Sequence, residues 1–313
     1  MRSVTVTSPG RPRLHVTCAG AGEPVLAITG WTISSAIFAP FVPLLPEGFR
    51  AIAFDHRGSG RSQWWPTPVS VATLAADAGR ALDAAGERSA HVVGVSLGAA
   101  VALELAVRMP WRVRSLALVG GWAGGPTSRL PAPAEASAVI ARLARDSARR
   151  RRLWPAAMLF SPEYLAAAPP AAVEAAVEPF LVRRAGTSMT WAQTVAASCF
   201  NRRRELAALR CPTLVAHGVQ DAMSPVENAR RMAAAIPGCR LELRPGGHAF
   251  PFEDLDDTAA LARSWLGEVA GTDPAVRATP VRRTTERATR PLALHAGAAR
   301  NQRDLLLRLA GRA

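Results

Sequence analysis

From its N-terminus the chain alternates short apolar runs with alanine-rich amphipathic stretches. Residues 4–18 and 24–29 read as strands separated by the Gly20-Ala21-Gly22 turn. The second strand, Pro24 to Thr29, is apolar on both faces, the composition of a central strand covered from either side. A helical segment around 35–45 follows, then a buried strand at 49–54 and an alanine-rich helix near 71–85. The β-branched run Val92 to Val95 passes directly into an Ala/Leu-rich segment that suits a helix, and 113–119 is the next strand. Strands alternating with helices predict a parallel sheet covered on both faces, joined by right-handed crossovers.

Between Trp122 and Leu206 the rhythm stops: the stretch holds Pro/Ala segments and helical periodicity but no strand pattern. It resumes with strands at 212–217 and 240–244 and a closing helix at 255–269. The expected organisation is therefore an α/β core made of 1–122 and 207–270, a helical cap inserted at 123–206, and a tail at 271–313. The tail is Arg/Thr-rich, with hydrophobic patterning only at Leu305 to Leu309, and is expected to be loosely ordered.

Composition narrows the class. With 313 residues, 49% of them hydrophobic, the chain can bury a full core. Met1 to Cys18 has no apolar h-region, so no signal peptide is expected, and no apolar run approaches the roughly 20 residues of a membrane span. Cys18, Cys199, Cys211 and Cys239 lack C-x-x-C spacing, which suits reduced thiols in a cytoplasmic protein and argues against a metal site. The net charge of +14 invites a nucleic-acid reading. Yet all 38 basic residues are arginine, and with so much alanine this reads as the codon bias of a GC-rich genome. Nine arginines against three acidic residues give the last 43 positions a net +6, but no aromatic residues interleave with them to stack on bases, which disfavours a nucleic-acid partner.

The chemistry sits where Val92–Val95 meets its helix. Gly94-Val95-Ser96-Leu97-Gly98 is a G-x-S-x-G pattern in the strand-to-helix context that a nucleophile elbow requires. Such a turn forces the serine into a backbone strain of about 1–3 kcal/mol, so the flanking positions must lack bulk. Gly94, Gly98, Ala99 and Ala100 meet that demand. A nucleophilic serine needs a base, and the base an orienting acid. Asp221 lies four residues past the strand ending at His217, and His248 follows the next strand within Gly246-Gly247-His248. Both positions are strand C-terminal ends, where open parallel sheets place their ligands.

With these landmarks in order, residues 1–270 resemble the α/β-hydrolase fold superfamily, specifically its capped members. The matching features are the glycine turn after the third strand, the Asp-x-Arg-Gly-x-Gly-x-Ser segment from Asp55 to Ser62, the elbow, and the Gly-x-x-Asp then Gly-His pair. The resemblance implies a mostly parallel central sheet, helices on both faces and a helical cap. It implies Ser96 as nucleophile, His248 as general base, Asp221 as its orienter, and an oxyanion hole of the Trp31 and Leu97 backbone amides. It implies a small ester or lactone as substrate, an acyl-enzyme intermediate, and no metal or organic cofactor. Carbon–carbon bond hydrolysis, acyl transfer and non-catalytic small-molecule binding are the alternatives, and the oligomeric state is left open. One position departs from the pattern: many members carry His-Gly where this chain has Thr29-Gly30, which bears on the shape of the oxyanion loop.

Other polar residues of these segments have structural readings. Asp55, Arg57, Gly58 and Gly60 are expected to hold a loop together, and His56, His91 and His217 to be packed or hydrogen-bonded at strand ends. Trp31, Trp122, Trp154 and Trp191 are expected either to line an apolar pocket or to pack cap against core, and Arg149 to Arg152 to form a solvated helix face.

Overall fold

Eight strands form one sheet in the order β1-β2-β4-β3-β5-β6-β7-β8. They are β1 Arg2–Ser8, β2 Arg11–Gly20, β3 Glu23–Ile28, β4 Phe49–Phe54, β5 Ala90–Val95, β6 Val113–Val119, β7 Thr213–Gly218 and β8 Arg240–Arg244. The computed structural model describes residues 2–8, 10–66, 68–124, 153–182 and 184–274, which belong to one compact unit. The Arg149 to Arg152 run and the tail beyond 274 lie outside the described residues.

From β4 onward across the order the strands run parallel, while β2 pairs antiparallel with both β1 and β4. The expected single strand over 4–18 is instead a hairpin of β1 and β2 that reverses at Gly10, whose φ of 67° suits a residue without a Cβ. The signal was present in Pro9-Gly10, a turn dipeptide within an otherwise strand-like run. The segment expected to be helical at 35–45 is a run of 3₁₀ turns over Ser35–Leu44, because Pro40 and Pro43 remove the amide donors an α-helix needs.

The side-chain period of two assigns alternate residues to opposite faces. Leu26, Ile28, Val92, Leu116, Leu118 and Val215 meet helices α1 (Val71–Ala84) and α2 (Leu97–Arg108) in one cluster. Val25, Ala117, Leu214 and Ala216 meet Leu261, Trp265, Leu266 and Val269 of the closing helix (Leu255–Val269) in another. Ten of the twelve residues of α2 are buried, which explains its apolar, alanine-rich composition on every side.

Between β6 and β7 the described residues form the α-helices α3 Ala156–Leu159, α4 Pro162–Ala167, α5 Pro170–Leu181 and α6 Thr187–Cys199, followed by a 3₁₀ turn at Leu206–Ala208. Leu153, Leu159, Phe160, Leu165, Val173, Val177 and Phe180 form their own apolar cluster, joined by Ile37 and Ala249 from the sheet side. The roots of this segment are tied together. Gly124 bridges Asn201, and the Arg202 amide donates to the Ala123 carbonyl at 2.6 Å. The Arg202 guanidinium clasps the buried Glu104 of α2 through two bonds of 2.7 and 2.9 Å.

Candidate active site

The strand order places the site. After β3 the chain adds β4 on one side and β5 on the other, so the loops leaving β3 and β5 diverge above their strand ends and open a crevice. Ser96 sits there between β5 and α2 with φ 56° and ψ −119°, a left-handed conformation that L side chains rarely adopt. Its neighbours permit it. A Cβ at Gly94 would stand 2.2 Å from the Gly98 carbonyl oxygen, and one at Gly98 would stand 2.1 Å from that of Ile28. Strand, turn and helix close onto one another only because both positions are glycine. The loop after β3 runs alongside: a Cβ on Gly30 would lie 3.3 Å from that of Ser96.

Asp221 and His248 arrive from the ends of β7 and β8. The Asp221 side chain is fully buried, with Oδ1 accepting the amides of Met223 at 2.8 Å and Ser224 at 2.7 Å. Its Oδ2 meets His248 Nδ1 at 2.7 Å. Burial pushes the Asp221 carboxyl up, but the charges and hydrogen bonds of His248 and His217 outweigh it and hold the group well below the usual carboxylate range. With Nδ1 donating to that carboxylate, Nε2 is the basic nitrogen of His248. Both residues border the end of β6: the Ser96 amide donates to the Val119 carbonyl at 2.8 Å, and a Cβ on Gly120 would lie 3.5 Å from His248 Cε1. Among the described residues, the Ser96 hydroxyl makes no hydrogen bond to His248.

The amides of Leu97, at the N-terminus of α2, and of Trp31, beside Gly30, donate to no acceptor among the described residues. Thr29, the departure from the usual histidine, is fully buried and ties this loop internally: its hydroxyl donates to the Ile33 carbonyl at 3.1 Å. Its carbonyl faces His56 Nε2 at 3.0 Å, so His56 donates there as a strut. The Asp55–Ser62 segment braces the same region. Asp55 accepts the Ser35 amide and hydroxyl, both at 2.7 Å, and the Arg61 amide at 2.8 Å, while Arg57 pairs with the buried Asp77 at 2.6 and 3.0 Å. His91 bridges Ser115 and Glu23 at the opposite end of the sheet.

Several contacts went unread in the sequence. His217 Nε2 donates to the Ser224 carbonyl at 2.8 Å and lies 3.2 Å from Asp221 Oδ2, so two imidazoles share one carboxylate. The i,i+4 spacing of His217 and Asp221 was the available clue. Glu253 takes the Gly247 amide and the Ser161 amide, each at 2.8 Å, fastening the His248 loop to the helices above it. Among the tryptophans, Trp31 donates its indole N–H to α6, Trp122 packs on the main core and Trp154 within the helical cluster, whereas Trp191 is 58% exposed and does neither.

A sheet of this order, with a strained serine at the strand–helix turn and a buried Asp–His pair beyond it, defines the α/β-hydrolase class. The chain belongs to the α/β-hydrolase fold family, whose model matches residues 23–157, and it is a hydrolase of that type. It is 30% identical to a relative from Azorhizobium caulinodans named as the carbamate hydrolase RutD, over 83% of this chain and 97% of that one. Among solved structures it resembles a hydrolase from Pseudomonas aeruginosa with a TM-score of 0.70 at 26% identity, covering 85% of this chain and 98% of that one. A thermophilic esterase from Thermogutta terrifontis matches with a TM-score of 0.68 at 26% identity, covering 86% and 99%. Among the described residues, no helix is long and apolar enough to cross a membrane.

Proposed function

We propose that the protein is a serine hydrolase that cleaves a small ester or lactone through an acyl-enzyme. The observation that carries this reading is the left-handed Ser96 at the β5–α2 turn, beside a His248–Asp221 bond of 2.7 Å. Such strain persists only where surrounding structure over-determines it, and it lifts the hydroxyl out of the sheet. His248 Nε2 takes the Ser96 proton as Oγ attacks the carbonyl carbon. The resulting oxyanion lies between the Leu97 and Trp31 amides, each donor of this kind being worth about 2.7–4 kcal/mol. Collapse expels the alcohol, which receives the proton from His248. Water, deprotonated by the same nitrogen, then attacks the acyl-enzyme and releases the acid. Asp221, held ionised by its histidines, keeps the imidazole in the Nδ1-protonated tautomer and stabilises the imidazolium.

The test is hydrolysis of p-nitrophenyl acetate by the wild type beside Ser96→Ala. Wild-type turnover that disappears in the variant supports the reading, and equal turnover by both overturns it. A second reading, carbamate hydrolysis, is favoured by the name of the Azorhizobium caulinodans relative and uses the same attack on a carbonyl carbon. A wild type that turns over a small carbamate faster than the matched ester, again only with Ser96 present, selects it.

A further inference from the structure

The loop that carries the Trp31 amide is gripped from outside by α6 and the residues leading into it. The Trp31 indole donates to the Thr190 carbonyl at 3.2 Å and the Thr194 hydroxyl at 3.0 Å. Arg184 donates to the Thr32 hydroxyl at 3.0 Å, and the Ala185 amide to the Thr32 carbonyl at 2.8 Å. Thr32 needs holding, because its φ of 64° is a left-handed conformation that a β-branched residue strongly disfavours. The shortest of the bonds on Thr32 comes from a buried amide side chain. Gln193 Oε1 accepts the Thr32 N–H at 2.7 Å, while its Nε2 donates to the Ser59 hydroxyl at 3.3 Å in the loop after β4. Gln193 is 0% exposed on a helix otherwise composed largely of small residues.

The direction of the Thr32 N–H sets the peptide plane between Trp31 and Thr32, and the Trp31 amide lies one plane upstream. We propose that Gln193 is a positioning residue for the oxyanion loop: from the helical segment it pins the strained turn that aims the Trp31 N–H at the carbonyl oxygen above Ser96. The helical segment is then part of the catalytic apparatus as well as a cover over it. The inference rests on the reading of Ser96 as nucleophile and of the Trp31 amide as oxyanion donor. Acylation and deacylation both build an oxyanion at the same place, so loosening the loop slows both steps and moves kcat more than KM.

The experiment compares Gln193→Met, which keeps the length but loses both hydrogen bonds, with Gln193→Glu, which keeps an acceptor for Thr32. Gln193→Ala, which cannot overpack the site, carries the same expectation as Met should the methionine variant fail to fold. Thermal unfolding establishes that each variant is folded at the assay temperature. The expected result for Met or Ala on p-nitrophenyl acetate is a fall in kcat of about 10- to 100-fold with KM within about twofold, the scale of a displaced oxyanion donor. The affinity for phenylboronic acid, whose serine adduct is a tetrahedral anion, falls alongside, and Gln193→Glu restores most of the rate. A folded Met or Ala variant with kcat within twofold of wild type overturns the proposal, as does a Glu variant no better than Met. Ser96→Ala run in parallel separates the two layers. If it is inactive while Gln193→Met is fully active, the role of Gln193 alone falls; if it is fully active, both readings fall.

Discussion

Substituting alanine at Gly98 tests how tightly the crevice is closed, and the same substitution at Gly267 supplies its control. Both glycines lie within helices, where alanine is intrinsically favoured by about 1 kcal/mol. At Gly267, exposed on the closing helix, a Cβ meets nothing within 4 Å, so Gly267→Ala is expected to stabilise the protein by up to about 1 kcal/mol. At Gly98 the new Cβ would lie 2.1 Å from the Ile28 oxygen and 2.6 Å from that of Thr29, both backbone atoms at the end of β3. Side-chain Cβ atoms essentially never approach within 3.0 Å, so the start of α2 and the end of β3 must part by roughly 0.9 Å. Overpacking of this kind costs about 1–3 kcal/mol, which outweighs the helix propensity gained. The parting also falls between Leu97 on one side and the loop to Trp31 on the other, so the two amides proposed to form the oxyanion hole separate. A misplacement near 1 Å can cost about 100-fold in rate, and a loss of 10- to 100-fold in kcat is expected for Gly98→Ala. Thermal unfolding and p-nitrophenyl acetate kinetics on the two variants read both effects. A Gly98→Ala protein that melts and turns over like the wild type refutes the reasoning.

Two further expectations concern stability. Asp77→Ala strips a fully buried carboxylate from Arg57 and Arg80, which it holds at 2.6 and 3.1 Å, and should cost about 3–5 kcal/mol in urea unfolding; a loss under about 1 kcal/mol would contradict that account. Acid should weaken the fold from near pH 6.5. Burial lowers the pKa of His56 and of His91, so below the unfolded value of 6.5 the unfolded chain takes up protons that the folded chain refuses. Their contribution is complete above that value and declines as pH falls, by at most about 1.4 kcal/mol per pH unit for each histidine. Asp221 acts in a lower window: its depressed pKa contributes above the unfolded carboxylate value and is lost as pH falls toward the folded one. Urea titrations at pH 7.5, 6.5 and 5.5 check the first window, and a midpoint unchanged between 6.5 and 5.5 would refute it.

Much of the architecture was legible because its causes are local. The largely apolar runs at 24–29, 49–54 and 113–119 read as covered strands, and the residues around Ser96 show the turn directly, since only small side chains survive where strand and helix touch. Asp221 and His248 were legible through their places just beyond strands. The hairpin at Gly10 and the 3₁₀ run at 35–44 were misread although their signals were local too: a Pro-Gly pair and two prolines outweighed the hydrophobic pattern around them.

The brackets that hold the site were hidden for a different reason. Gln193 reaches Thr32 across 161 positions, and Glu253 reaches Ser161 across 92. On its own helix Gln193 is a polar residue like any other on a surface face; only the docking of that helix onto the loops after β3 and β4 buries it. His217 has the same history, a strand-end histidine until the β7 turn folds Asp221 back within 3.2 Å. The sequence by itself determined the periodicity of most strands and helices and pointed to Ser96, Asp221 and His248 as candidates, because backbone sterics and hydrophobic period act between neighbours in the chain. Which polar groups lose water, and which partners must then replace it, was decided only by tertiary packing, since burial belongs to the assembled surfaces and to no single segment.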